Sequence, residues 1–590
     1  MKKIFKYLKP FKKKITISIF LIFITTILQT YIPLFEAEYI LNFLIDEKNH
    51  TNWVDYKKHI IIFLSINFVF YLLCAIGKFI YNKFLVNSIH KGMKNLRQDI
   101  YKKINKLPIR YFDQNTVGDI MNKMTNNVDI ISNGLQQTFA SIIYSFFQII
   151  ILLICMLIVN WRLGFIISLM IPLSFLIIII INKKSRNVFI QIFDKTSEYN
   201  GFLQEKFNGH KEIMLYNQHE NIIKEFKQIN KDLSKIIFKS NFLSGLVIPI
   251  VNAVTYIILT IIVILGYFLM KEGELPLLLI KLGFVSIQFG LFEAFIQYVW
   301  RLGDPINNLS KIFIVVQSTK TAIHKVLDFL YETEEKEDDP NCITLDEVKG
   351  IVKFSNVSFG YSKDKLILKN INLNVKKNQT IAIVGSTGSG KTTLINLLTR
   401  FYDVDEGSIT IDGVDIRNFE KKYLRKILGL VLQDVWLFKG TILENIKYGS
   451  EGKSDEEAIE IAKKTQIHDF IMSKDQGYQT IINEESDNLS QGEKQLITIT
   501  RTLLRNPSIL ILDEATSTID TQMEIICQKS IQTLCQNKTS FVIAHRLSTI
   551  VNADVIIVLK NGSIIEKGKH EELIKIKGFY HNLYHSQFKK

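Results

Sequence analysis

Six apolar stretches in the first half of the chain decide what it can fold into. Ile15–Phe35, Ile60–Gly77, Ile142–Val159, Leu163–Ile181 and Leu243–Met270 carry no charge, and Leu282–Trp300 carries one acid, Glu293. About 20 residues at about 1.5 Å each cross a hydrocarbon core of about 30 Å. Buried core helices of a large soluble protein are the bland alternative, and six such runs argue against it. Basic residues bracket the stretches unevenly. Lys2 to Lys14 precede the first. Lys91, Lys94, Arg97, Lys102, Lys103, Lys106 and Arg110 lie between the second and third, and Lys183, Lys184 and Arg186 follow the fourth. The positive-inside rule then predicts a multi-pass membrane protein with both termini cytoplasmic. These loops account for much of the net charge of +15 without nucleic acid. Cys74, Cys155, Cys342, Cys527 and Cys535 show neither CxxC nor metal-ligand spacing and read as reduced thiols.

Two connections, about residues 81–134 and 182–242, are polar and helix-compatible, so the helices should continue out of the membrane. LPIRYFDQNTVGDIMNKM, Leu107–Met124, predicts a turn at Asn115 to Gly118 and a restart at Asp119, with something cytoplasmic packed against it. Glu293 sits where a charge is costly. It reads either as a substrate-facing group, weakly suggesting a cationic or polar cargo, or as an interhelical hydrogen-bonding group.

The acidic, proline-containing YETEEKEDDPNC, Tyr331–Cys342, reads as a linker. Beyond it, short apolar strands alternate with helices, as in an α/β domain. GSTGSGKT, Gly385 to Thr392, fits G-x-x-x-x-G-K-[ST] between the strand Thr380–Val384 and an apolar helix from Thr393. Glycine lets the backbone N–H groups of Gly385, Ser386, Thr387, Gly388, Ser389 and Gly390 wrap phosphates, and the helix N-terminus at Lys391, Thr392 and Thr393 adds positive potential. Lys391 should hold the β- and γ-phosphates, and Thr392 should ligate Mg²⁺. ILILDEATS, Ile509–Ser517, is a buried strand ending in two acids: Asp513 suits Mg²⁺, and Glu514 would polarise the attacking water. SFVIAHRL, Ser540–Leu547, ends another strand at His545, which reads as a γ-phosphate contact on the same sheet edge. Within DNLSQGEKQL, Ser490 and Glu493 have the spacing of a capping box.

Together these motifs resemble the ATP-binding cassette family, over nearly the whole chain. LSQGEKQ resembles its signature. The resemblance implies ATP and Mg²⁺. It makes Tyr361, in VSFGY, the residue that stacks on adenine. Gln433, in LVLQDVWLF, becomes the glutamine that contacts Mg²⁺ and the attacking water, and Asp520, in STID, the aspartate at the dimer interface. Glu484 resembles the acid of the loop that contacts the membrane domain. Ser490 and the Gly492 amide would bind the γ-phosphate held by a second chain. The implied fold is an all-α six-helix transmembrane domain followed by an α/β P-loop nucleotide-binding domain. Its segments are an N-terminal elbow helix at 1–14, the transmembrane domain with two coupling-helix connections at 15–330, a linker at 331–348 and the ATPase domain at 349–590. One chain has six spans and one cassette, so the resemblance implies a dimer of half-transporters. Gln491 and Glu493 depart from the usual signature. Both a homodimer, which is preferred, and a heterodimer with a divergent partner stay open. The implied activity is ATP-driven export of a drug, lipid or peptide. An importer on the same fold, or an ATP-gated channel or regulator, is the alternative.

Overall fold

The computed structural model describes residues 3–37, 53–271, 288–362, 365–432, 435–450, 452–483, 488–513, 521–543 and 550–588. They form two compact units, residues 1–106 with 116–332, and residues 107–115 with 333–590.

The first unit is helical. Its elements begin with α1 (Phe5–Leu8), α2 (Lys12–Glu36) and α3 (Trp53–Ile104). The chain leaves this unit for α4 (Ile109–Gln114) and returns through α5 (Val117–Met124), α6 (Asn126–Val159), α7 (Trp161–Asn208), α8 (His210–Leu215), α9 (His219–Gly245), α10 (Val247–Lys271) and α11 (Gln288–Leu330). At 52 residues α3 is about 78 Å long, far more than a bilayer needs. Among the described residues Phe5–Glu36, Lys57–Ile104, Val117–Val159 and His219–Ile264 are long and apolar enough to cross a membrane. The fourth expected stretch lies within α7. The sixth begins outside the described residues and ends in α11.

Leu152, Met156, Ile167, Ile262, Phe295 and Tyr298, from α6, α7, α10 and α11, make one buried core. Phe20, Phe68 and Phe79 face outward, where lipid rather than water would cover them. Small residues set close approaches: a Cβ on Gly134 of α6 would meet the Thr319 hydroxyl of α11 at 1.8 Å. α9 and α10 part at Leu246. Pro249 has no N–H for the carbonyl of Gly245, so one bond of the helical ladder is missing at that junction. The turn expected at Asn115–Gly118 is shorter than predicted. Thr116 caps α5 by accepting from the Asp119 N–H at 3.2 Å, so the helix restarts at Val117.

The second unit holds three sheets. β1 (Val352–Phe359), β2 (Leu368–Val375), β4 (Glu406–Ile411) and β5 (Val414–Asp415) form an antiparallel sheet in the order β2-β1-β4-β5. The main sheet runs β12-β11-β3-β10-β9-β6, from β3 (Thr380–Gly385), β6 (Leu428–Val431), β9 (Ile509–Asp513), β10 (Thr539–Ile543), β11 (Val555–Lys560) and β12 (Ser563–Gly568). All but β12 are parallel neighbours, and β9 and β10 are buried along almost their whole length, as a doubly covered parallel sheet requires. β7 (Gly440–Thr441) and β8 (Ile481–Ile482) make a small pair.

The helices of this unit include α12 (Lys391–Leu398), α13 (Lys421–Ile427), α14 (Ile442–Lys447), α15 (Asp455–Lys464), α16 (His468–Met472) and α17 (Gln491–Arg505). The last four share a separate apolar cluster with Leu443, Ala458, Ile471 and Leu496. Punctuation is local: Thr441 with Glu444, Ser454 with Glu457 and Ser490 with Glu493 all close capping boxes. The stretch read as a linker is strapped down. Glu335 pairs with Arg425 at 2.9 Å and Lys421 at 3.6 Å, and Asp338 accepts from the Lys421 N–H at 3.0 Å.

Candidate functional site

β3 delivers the chain to the phosphate loop. Gly385 ends the strand against β11, where a Cβ would meet the Leu559 carbonyl at 2.3 Å, so only glycine permits this approach. Ser386, Thr387 and Gly388 are exposed, and Gly388 at φ +79° needs no side chain. Ser389 and Gly390 are buried, and Gly390 at φ +104° turns the chain into α12. The leading N–H groups of that helix have no partner within it.

Lys391 is buried and folds back, donating to the carbonyls of Gly385 at 2.8 Å and Ser386 at 3.1 Å. Burial lowers its pKa, and the nearby charge of Asp513 opposes the shift. The Ser389 hydroxyl is buried without a hydrogen-bond partner. An orphaned hydroxyl, loop carbonyls already holding the lysine and a glycine cradle fit a bound triphosphate. Thr392 presents an exposed hydroxyl, and Asp513 a strand-end carboxylate. Two hard oxygen donors suit Mg²⁺, which takes few protein ligands beside phosphates and water.

The neighbouring strand ends share this edge: Ile543 of β10 is in register with both Asp513 and Ile383. Gln433, Glu484, Glu514, Asp520 and His545 lie outside the described residues. Tyr361 is placed by the first turn of α12. Its hydroxyl meets the Thr393 hydroxyl at 3.3 Å and the Asn396 amide at 3.4 Å, and its ring packs edge-on to Phe359 and Tyr402.

The structure adds residues that the motifs did not announce. α4 folds with the second unit: Ile109 packs on its core, Arg110 donates to the Tyr361 carbonyl at 2.6 Å, and the Tyr402 hydroxyl donates to Asp113. Burial and that bond raise the Tyr402 pKa. Arg501, on the helix opened by Ser490, reaches the Asn445 carbonyl at 2.8 Å, its side-chain oxygen at 3.1 Å and the Trp436 carbonyl at 3.3 Å. Burial lowers its pKa. The IRYFD segment was the one sequence signal for α4. Nothing in the sequence pairs Arg501 with Asn445.

Ser490 caps α17 as its spacing predicts, accepting from the Glu493 N–H at 3.3 Å while Glu493 accepts from the Ser490 N–H at 2.7 Å. α17 packs on β6, the outer strand of the main sheet, three strands from β3. At about 4.8 Å per strand, that is about 14 Å across the sheet.

Long apolar helices in one unit and a phosphate loop on a parallel sheet edge in the other define a nucleotide-driven membrane protein. Residues 15–292 match the family described as "ABC transporter transmembrane region", and residues 368–517 match "ABC transporter". The chain is 34% identical over 521 residues to the fatty acid ABC transporter ATP-binding/permease protein of Mycobacterium bovis, covering 88% of this chain and 80% of that one. It is 35% identical over 499 residues to the ATP-dependent lipid A-core flippase of Syntrophus aciditrophicus, covering 84% and 80%. A bacterial Atm1-family ABC exporter with ATP bound shares the fold at a TM-score of 0.79 and 24% identity, over 98% of this chain and 99% of that one. The chain belongs to the ATP-binding cassette transporter family. It is an ATP-hydrolysing membrane transporter with the fold of an ABC exporter.

Proposed function

We propose that this chain works as a half-transporter in a dimer, a homodimer by preference. In this reading it exports a hydrophobic or amphiphilic cargo by alternating access, with the termini and the nucleotide-binding domain cytoplasmic. Each ATP would lie between one chain's phosphate loop and the other chain's signature. The observation that carries this is the placement of α17: the helix that Ser490 opens packs on β6, three strands from β3, so a signature that touches γ-phosphate serves a second polypeptide. Exposed Met214, Leu215 and Tyr216 at the end of α8 and exposed Trp436 are further apolar surface that a partner would cover.

In this reading residues 1–14 are an elbow helix, 15–330 the transmembrane domain, 331–348 the linker and 349–590 the ATPase. Tyr361 stacks on adenine. Gly385 to Thr393 cradle the phosphates, with Lys391 leaving its loop carbonyls for the β- and γ-oxygens. Thr392, Asp513 and Gln433 would hold Mg²⁺, which neutralises developing phosphate charge when bound. Glu514 orients the attacking water, His545 contacts the γ-phosphate, and Ser490 and Gly492 close from the partner.

Mixed dimers test the composite site. A Lys391→Ala chain and a Ser490→Arg chain are each expected to be inactive alone. Together they leave one intact site, with the phosphate loop of one and the signature of the other, and phosphate release returns. If the mixture stays as inactive as its parts, the site is built within one chain. Hydrolysis by the chain purified alone establishes the homodimer; inactivity rescued by a second half-transporter establishes the heterodimer.

A further inference from the structure

We propose that the membrane unit binds the anionic head of an amphiphilic cargo, a carboxylate, phosphate or sulfate, through Lys78 of α3 and Arg301 of α11. This rests on the exporter reading and names its substrate class.

Both cations lie at the level of span interiors. The hydroxyl of Ser18 donates to the Tyr81 carbonyl at 3.3 Å, and the Cys74 thiol approaches the Thr25 carbonyl at 4.0 Å. Lys78 therefore runs beside the middle of α2. Arg301 donates to the carbonyl of Gln29, well inside the first apolar stretch, at 2.6 Å. That carbonyl is available because Pro33, four residues on, has no N–H to return to it. One bond uses a fraction of the five guanidinium donors. One residue links the two cations: Lys78 lies 6.0 Å from the ring of Tyr144, whose hydroxyl donates to the side chain of Gln29 at 3.0 Å, and Gln29 is the residue whose carbonyl Arg301 holds. Lys78, Arg301, Gln29 and Tyr144 are all half-buried, so each keeps accessible surface.

The acids of this unit are differently placed. Glu36 accepts from Asn67 at 2.8 Å. Glu293 accepts from Gln297 at 2.6 Å on its own helix, not across helices. It stands eight residues, about 12 Å, from Arg301. Asp304, one turn past Arg301, is exposed. Among the described residues neither Lys78 nor Arg301 has an ion-pair partner. Two cations against one nearby acid leave a net positive charge amid apolar helices. Charges at such depth persist where they face a partner or a pathway. An anion with an apolar tail satisfies both the cations and their surroundings, so the cationic cargo that Glu293 alone would suggest is the weaker fit.

The test uses full-length protein in phosphatidylcholine nanodiscs, without nucleotide. Three fluorescent probes share one alkyl chain and differ in the head: carboxylate, alcohol or trimethylammonium. The carboxylate is expected to bind about tenfold tighter than the others, the worth of one charged hydrogen bond. Lys78→Gln removes most of that preference, Arg301→Lys retains it, and Lys78→Glu turns it toward trimethylammonium. Arg301→Gln could unfold the Pro33 region, so the Lys78 variants decide the matter alone. Equal binding of all heads, or a preference for trimethylammonium in the unaltered chain, overturns the proposal. Adding ATP and Mg²⁺ separates cargo from resident lipid. Release of the probe during turnover supports cargo; a probe retained through turnover and displaced by phosphatidylglycerol overturns that assignment. A chain that binds the carboxylate but never hydrolyses ATP contradicts the exporter reading and leaves the head-group result standing.

Discussion

The two units solve the same problem, where backbone and side-chain polar groups go, by opposite means. In the cassette unit the answers are mostly local. Three capping boxes close within four residues, and Asn residues at positive φ, such as Asn506 ending α17, stop helices in place. In the membrane unit local answers are hydroxyls returning to carbonyls one turn back, as Thr26 does to Ile22 at 2.6 Å, and side-chain pairs one turn apart, as Gln297 with Glu293. Other polar groups reach a distant helix. Tyr298 reaches the Thr30 carbonyl and Arg301 the Gln29 carbonyl, which Pro33 leaves without its helical N–H donor. A water-facing unit can thus be punctuated by its own sequence. A lipid-facing unit is held by a few long-range bonds, each with no solvent to replace it.

Breaking the cassette at its most local device should give the largest effect. Lys391→Ala is expected to lower hydrolysis by about a hundredfold or more, read as phosphate release at saturating ATP. Next comes a non-local device of the cassette. Arg501→Met removes three donated bonds and leaves the Asn445 carbonyl without them, so unfolding of the full chain should be easier by about 3 kcal/mol. A loss below about 0.5 kcal/mol would show that water replaces the guanidinium.

Ser490 sharpens the comparison by separating two roles of one residue. Ser490→Ala should cost about 1 kcal/mol of stability through the lost cap. Ser490→Asp keeps a capping oxygen and should hold stability, yet its charge opposes a partner's phosphate and should abolish hydrolysis. Equal activity of the aspartate variant and the unaltered chain would leave Ser490 a cap alone. The smallest effect belongs to the membrane unit. Tyr298→Phe deletes the bond to Thr30 and should cost about 0.6 kcal/mol in thermal denaturation in bilayers, typical of single interhelical bonds there.

How much the sequence discloses follows the same division. The phosphate loop, the strand before it and the Ser490 cap were legible because their chemistry is contained within about ten residues. The apolar stretches were legible by length alone. Arg501 with Asn445 and Tyr402 with Asp113 were not, because those partners lie 56 and 289 residues apart. The ion pairs of the segment Tyr331–Cys342 were hidden for the same reason. Its acids look solvated until Lys421 and Arg425 are brought to them by the fold. Glu293 also reads differently in place: the amide that satisfies it is one turn along its own helix.

The segment carrying Asp113 has a consequence for how the protein is made. Residues 107–115 emerge from the ribosome early but fold with a unit whose remainder begins at residue 333. Tyr402 follows Asp113 by 289 residues, about 15–60 s of synthesis at about 5–20 residues per second. Through that interval Ile109 and its neighbours have no cassette core to cover them, so the membrane helices are inserted while α4 is still waiting for its partner. Anything that slows translation between the two lengthens the time α4 stands without its partners.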